Sequence, residues 1–376
     1  MMTRLKKNSF SVLMIAAWVV LGASCGEDSM DNTNNGDLND AGGDDPSNMD
    51  PITDPGDPAS SEVEFLTLNS DGGIEDYTIA NDQLFVVVSE DSGLAYHIIK
   101  CPLAGCPEQP ELIDDDFDTS VEYGTKIAST ATRVYWNASD YSNGTEVIRS
   151  SDLDGNNVEV SYSTSIGDTF HTMVGDNGGR LVVGFNSFST QSNRIAHLVG
   201  TSLVDIPAAA GNTDFRPAVG LVGDVVYVWQ KDGFAQASQI REVDLSNGSV
   251  RDVAPTTMSE NGEIGVSEDR LIFTRQWGNS PNAFNCELSD CTSSGAVTDE
   301  RISGSFAIDD GIVYVAETKD GEASIVGYDA LPTRSSAVYS QGLEWSGVKK
   351  LKVHDGFVYG ISQDGDHVIR SPLAAR

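Results

Sequence analysis

Beyond residue 60, apolar positions come in short runs of β-branched and aromatic residues, each cut off by Asp, Asn or Gly. The stretch from Asp309 to Leu331 shows the pattern most plainly. Asp309-Asp310-Gly311 is tight-turn chemistry, because Gly accepts positive φ and Asp tolerates it. Ile312, Val313, Tyr314 and Val315 suit a pleated, packed surface. Lys319-Asp320-Gly321 breaks the run. Ile325, Val326 and Tyr328 then make another strand, and Ala337-Val338-Tyr339 one more. With Phe306 and Ile308 ahead of the turn, the unit predicts four short antiparallel strands. No long segment after residue 25 carries a 3.6-residue period.

The unit recurs. Its second strand is repeated as Leu84-Phe85-Val86, Arg133-Val134-Tyr135, Leu181-Val182-Val183, Val225-Val226-Tyr227, Leu271-Ile272-Phe273, Ile312-Val313-Tyr314 and Phe357-Val358-Tyr359, 41 to 49 residues apart. The third strand recurs in step, from His97-Ile98-Ile99 to His367-Val368-Ile369, and several copies run into a Leu and a turn, as at Leu103, Leu153 and Leu245. Four-strand repeats of this length are the signature of a β-propeller. The expectation is all-β, with seven four-stranded blades over residues 61–376. The segment 170–214 is the poorest match, so six and eight blades are the alternatives. The last repeat lacks an outer strand, and Val63 to Leu68 has no partner nearby. That N-terminal strand is expected to complete the seventh blade, since closing the ring removes an exposed edge.

The beginning of the chain reads as an address. Arg4, Lys6 and Lys7 precede an apolar stretch from Phe10 to Leu21, too short to span a bilayer comfortably. Leu21-Gly22-Ala23-Ser24-Cys25 resembles the lipobox of bacterial lipoproteins. The resemblance implies a signal peptide over 1–24, a lipidated (palmitate-bearing) Cys25 and membrane attachment. Gly26 after the cysteine implies, by similarity to enterobacterial sorting, the outer membrane. Gly22 stands where the family usually has Leu; the alternative is an ordinary secretory signal cut nearby. Residues 25–60 hold Asp, Asn, Gly and Pro with no Lys or Arg. Such a segment buries too little apolar surface to offset its ordering entropy and predicts a disordered acidic tether. Its Asp37 to Asp45 run suits at most weak Ca²⁺ binding, because EF-hand spacing is absent.

Four cysteines remain, in two pairs of equal spacing: Cys101 with Cys106, and Cys286 with Cys291. Each pair flanks a turn between third and fourth strands, close enough for a local disulfide. A shared four-Cys zinc site is the rival, but it needs both pairs together, and they belong to repeats one and five. The run Lys100-Cys101-Pro102-Leu103-Ala104-Gly105-Cys106 resembles a motif that recurs in propeller-type lipoproteins of myxobacteria and related predatory bacteria. In this chain the first repeat carries it cleanly and the fifth keeps only the cysteines. The resemblance implies the fold and a cell-surface location, and no reaction.

The net charge of −34 repels nucleic acid and favours cationic partners or a solubilising surface. In a propeller, the loops joining second to third strands and those joining blades share one face. On it the sequence places an acidic group (Asp114, Asp115, Asp116, Asp118), a Ca²⁺ candidate or simply a solvated loop. It also places Trp277 with Arg275, and Trp345, residue types that anchor interfaces; Trp345 has the alternative of packing between blades. His97 and His367, equivalent in the first and seventh repeats, become neighbours on closure. Asp152-Leu153-Asp154-Gly155-Asn156 looks faintly like a Ca²⁺ loop but suits a turn. Asn137-Ala138-Ser139, Asn143-Gly144-Thr145 and Asn247-Gly248-Ser249 match the glycosylation pattern and suit turns equally. No Gly-x-Ser-x-Gly, His-Glu-x-x-His or phosphate-loop motif is present.

The expectation is therefore a non-catalytic, lipid-anchored propeller that binds a protein, glycan or envelope component, with no cofactor or resident metal. A lyase or hydrolase with its site at the channel mouth, and a purely structural envelope protein, are the competing readings. Convergent polar side chains from three or more blades would favour an enzyme.

Overall fold

The computed structural model describes residues 64–68, 72–90, 95–118, 124–140, 144–164, 168–176, 178–187, 192–206, 219–231, 238–255, 263–267, 269–277, 280–298, 302–329 and 336–373. The signal segment, Cys25 and the acidic tether lie outside them. The described strands belong to the unit Pro58–Arg376.

The strands form seven four-stranded antiparallel blades in a ring, as the repeats predict. Blade six, the clearest in sequence, comprises Ile302–Asp309, Ile312–Lys319, Glu322–Asp329 and Ser336–Gln341. Its tight turns use Asp310 and Asp320 at positive φ, each followed by a positive-φ Gly, the backbone that matches strand twist in two-residue hairpins. Blade three, the weakest match, is equally complete: Thr169–Gly175, Leu181–Ser187, Ser192–Val199 and Ser202–Asp205.

The blades pack face to face, so the core is divided into seven layers, one between each pair of neighbours. This explains the unbroken apolar runs. In blade one, Leu84, Val86 and Val88 face blade seven, while Phe85 and Val87 face blade two. A strand covered on both sides has no polar alternation to show. The recurring Leu after each third strand has its own role. The N–H groups of Leu103, Leu245, Leu288 and Leu373 donate to carbonyls of Asp82, Asp224, Asp269 and Gly356, in the first-to-second-strand turns. Their side chains close the ends of four interblade layers.

Closure is as expected. Glu64–Thr67 pairs antiparallel with His367–Pro372, the third strand of blade seven. Arg370 secures the join: its guanidinium lies 4.4 Å from the Phe65 ring centroid and 4.8 Å from that of Phe357. It also donates to the Leu103 carbonyl of blade one at 2.7 Å. Leu103 sits in the turn spanned by the Cys101–Cys106 disulfide. Both predicted disulfides are present, each with Cα atoms 5.0 Å apart.

Candidate binding site at the channel mouth

The innermost strands begin at the face that carries the connections between blades, and several break register near that end. The breaks fall between Ile74 and Asp76, Phe170 and Thr172, Ile302 and Phe306, and Lys349 and Lys352. A bulge leaves a residue out of the ladder and re-aims its neighbours. Backbone donors at the entries of these innermost strands are taken up by the adjoining blade. Asp76 accepts from the Ile127 N–H at 3.4 Å, Glu146 from Phe170 at 2.7 Å and Glu263 from Phe306 at 2.9 Å. The Ser305 hydroxyl accepts from the Leu351 N–H at 2.8 Å. These contacts clasp successive blades together around the channel.

Five charged or phenolic groups gather there: Asp76 and Tyr77 from blade one, Glu263 from the entry to blade five, and Lys350 and Lys352 from blade seven. Asp76 and Glu263 both act on the ionisation of the two lysines, and the lysines act on that of Glu263. Blade five borders neither blade one nor blade seven, so that coupling runs through the centre of the ring. The Lys350 ammonium lies 3.7 Å from Asp76, and its side chain is 40% accessible although the ring surrounds it; it lines a channel that water reaches. The Asp76 carboxylate raises the Lys350 pKa against the opposing effect of burial. Burial lowers the Lys352 pKa, with Asp76 and Glu263 only partly offsetting it. Burial likewise raises the Glu263 carboxyl, against the pull of the Phe306 N–H, Lys350 and Ser305.

Tyr77 ties the two lysines together. Its hydroxyl donates to the Lys350 carbonyl at 2.6 Å, and the Lys352 ammonium lies 5.2 Å from its ring centroid. Lys350 has φ of 57°, a left-handed conformation uncommon for a residue with a side chain.

The residues singled out from sequence fare differently. Asp114 to Asp118 belong to the outer strand Glu111–Asp118 and not to a loop. Asp114 is buried, accepting from the Trp136 indole at 2.8 Å and pairing with Arg149 at 2.8 Å; burial still raises its carboxyl pKa. It joins blade one to blade two and presents little to solvent. Asp115 is exposed, and the side chains of Asp116 and Asp118 lie outside the described set. Trp345, offered as a surface anchor, is buried between blades six and seven, where its indole donates to Ser340 at 2.9 Å. A hydrophobic ring with one donor is better satisfied there than in water. Arg275 and Trp277 end the second strand of blade five; their side chains are outside the described set.

His367 contacts the Thr67 hydroxyl of the closing strand at 3.1 Å, and half-buried His97 has its pKa lowered by burial. Asp152 accepts from the Asp154 and Asn156 N–H groups, so its loop is a turn. Among the described residues, no group of three or more His, Cys, Asp or Glu is placed to hold a metal ion. Sequence reasoning missed Asp76, Tyr77, Glu263, Lys350 and Lys352. The one legible signal was Lys349-Lys350-Leu351-Lys352, three lysines opening an innermost strand in a chain with 23 Lys and Arg.

No family model matches the chain, and no curated protein does. Solved structures do. The β-propeller domain of the Trilobed protease from Pyrococcus furiosus, described as having an open velcro topology, aligns with TM-score 0.56 and 9% identity over 81% of this chain and 97% of that one. Virginiamycin B lyase from Staphylococcus aureus aligns with TM-score 0.54 and 12% identity, over 81% and 97%. An oligogalacturonate lyase in complex with manganese aligns with TM-score 0.53 and 10% identity, over 83% and 90%. At such identities the likeness is one of fold. The chain is a seven-bladed β-propeller. Its ring is closed by its own N-terminal strand.

Proposed function

We propose that the chain is a cell-envelope lipoprotein, anchored through Cys25 in the outer membrane, whose propeller binds an envelope component at the channel mouth without transforming it. One observation carries the binding reading. Polar groups from several blades converge at the mouth, but Asp76 and Glu263 are engaged by backbone donors of neighbouring blades. Acid–base or nucleophilic chemistry needs a group free to exchange a proton with the substrate; carboxylates committed to clasping blades serve the scaffold instead. Lys350, paired with Asp76 but 40% accessible, and Lys352, whose ammonium lies over the Tyr77 ring, are the groups placed to meet a ligand. The anchoring reading rests on the resemblance of Leu21 to Cys25 to a lipobox and on the basic and apolar segments before it.

The two readings are tested together. Cys25→Ser releases the chain from membranes into the soluble fraction; continued membrane association would falsify the lipid anchor. The released chain is then used to capture material from envelope extract. Capture is expected to fall at least tenfold in a Lys350→Gln, Lys352→Gln double variant. Equal capture by the double variant places binding elsewhere on the disc.

A further inference from the structure

The channel mouth invites a closer statement of what it holds, resting on the reading of that mouth as a binding site. Lys352 is the informative residue. Its ammonium sits inside the ring, with burial working against its charge. Among the described residues its close partner is the face of Tyr77, 5.2 Å from the ring centroid. A ring face attracts a cation but accepts none of its three hydrogen bonds in good geometry. The carboxylates nearby are committed elsewhere. Asp76 takes up Lys350 and the N–H groups of Tyr77 and Ile127. Glu263 takes up the Phe306 N–H and the Ser305 hydroxyl. Among the described residues Lys352 therefore has no carboxylate in direct contact, and it stands two residues from Lys350, whose side chain water reaches.

The backbone supplies a second and independent observation. Lys350 holds a left-handed φ of 57° within the irregular register between Lys349 and Lys352. A left-handed lysine is uncommon, and the surroundings enforce it. The Tyr77 hydroxyl grips the Lys350 carbonyl, and the Ser305 hydroxyl accepts from the next N–H, that of Leu351. The result sets two ammonium groups at one mouth, on one strand, two residues apart. Asp76 offsets the charge of Lys350, and Glu263 is held by the Phe306 N–H and the Ser305 hydroxyl, so among the described residues the ammonium lacking a carboxylate in direct contact is that of Lys352; a neutral apolar group would leave its donors unmet. A group with several negatively charged oxygens satisfies them.

We infer that the mouth of the channel is an oxyanion site, in which Lys350 and Lys352 receive the phosphate or carboxylate group of a small molecule or of the exposed end of a larger one. Tyr77 positions both lysines and forms the floor beneath Lys352. Long-range repulsion from the acidic chain keeps weakly held anions out, so occupancy depends on direct contact with both ammonium groups.

The test reads single lysines. The full chain, in detergent micelles, is acetylated at neutral pH and constant ionic strength, and the rate at each lysine is followed by mass spectrometry. Inorganic phosphate serves as one probe and galacturonate, a carboxylate on a sugar, as another. Either probe is expected to slow labelling of Lys352 at least fivefold at millimolar concentration while leaving exposed Lys319 unchanged. Protection by phosphate alone assigns a phosphate ligand, and protection by galacturonate alone a carboxylate. No protection of Lys352 by either probe, or equal protection of Lys319, overturns the proposal. Calorimetry of Lys350→Gln and Lys352→Gln guards against an indirect effect, since each variant is expected to weaken binding of the protecting probe at least tenfold. Unchanged affinity in both variants also overturns it. The outcome is separable from envelope capture: protection without capture leaves the oxyanion site standing while the envelope reading fails.

Discussion

At the scale of single residues, the two channel lysines have opposite energetic characters. Lys350 is paired with Asp76 and its pKa is raised. Its contribution is present below the ordinary lysine pKa and is lost as pH rises through its folded value. Lys352 has a depressed pKa. Its contribution is present only above the ordinary lysine pKa and is lost as pH falls through the depressed value, so near neutrality the fold carries its charge at a cost. Lys352→Met should therefore stabilise the protein, raising Tm by roughly a degree or more. Lys350→Met should destabilise it by about 1 kcal/mol, because a buried carboxylate loses its partner. Thermal melts between pH 6 and 10 check both. The advantage of Lys352→Met should be largest near neutrality and shrink towards pH 10. A destabilised Lys352→Met would show that the lysine serves the scaffold.

Among the elements, the closing strand Glu64–Thr67 is short and its consequences reach far. It has four residues and no covalent tie to blade seven within the ring, so side chains must hold it. Phe65 meets Tyr359 edge-on with centroids 6.0 Å apart and lies against the Arg370 guanidinium. Arg370 also reaches the turn of blade one that the Cys101–Cys106 disulfide shapes. One side chain thus joins the N-terminal strand, blade seven and blade one. Arg370→Ala should cost about 2 kcal/mol, from two ring contacts and a part-buried hydrogen bond. Arg370→Lys should recover only part, because an ammonium cannot lie flat between two rings. Urea melts measure both. An Arg370→Ala midpoint equal to wild type would mean that strand pairing alone holds the closure.

For the whole molecule, stability is shared by seven interblade layers, and opening the ring exposes one of them. Deleting residues 61–69 removes Phe65 and Leu66 from the layer between blades seven and one and uncovers the third strand of blade seven. The whole ring should then melt at a lower temperature, by several degrees, and hydrogen exchange should rise first in blades seven and one. Unchanged melting of the truncated chain would show that the ring does not depend on its closure. The predicted disulfides act more locally, since each closes only a short loop and stabilises modestly.

Repeat length, strand number, the Asp-Gly turns, both cysteine pairs and the displaced first strand were all legible in the amino-acid sequence. Each depends on neighbours along the chain or on comparing one repeat with the next, and Leu103, Leu245, Leu288 and Leu373 recur because four blades make the same contact. The candidate site was not legible. Asp76, Glu263 and Lys352 stand far apart in the chain and in unlike sequence surroundings, and they meet only because ring closure turns seven strand entries towards one axis. Asp114 misled for the same reason, and Trp345 stood between a surface reading and the interblade one that the ring decided. A carboxylate in an acidic run reads as solvated, and a tryptophan after a loop reads as exposed, until Arg149, Trp136 and Ser340 are brought alongside. Local chemistry determined the blade; which polar groups become partners was decided by the ring, because burial and pairing are properties of neighbours in space.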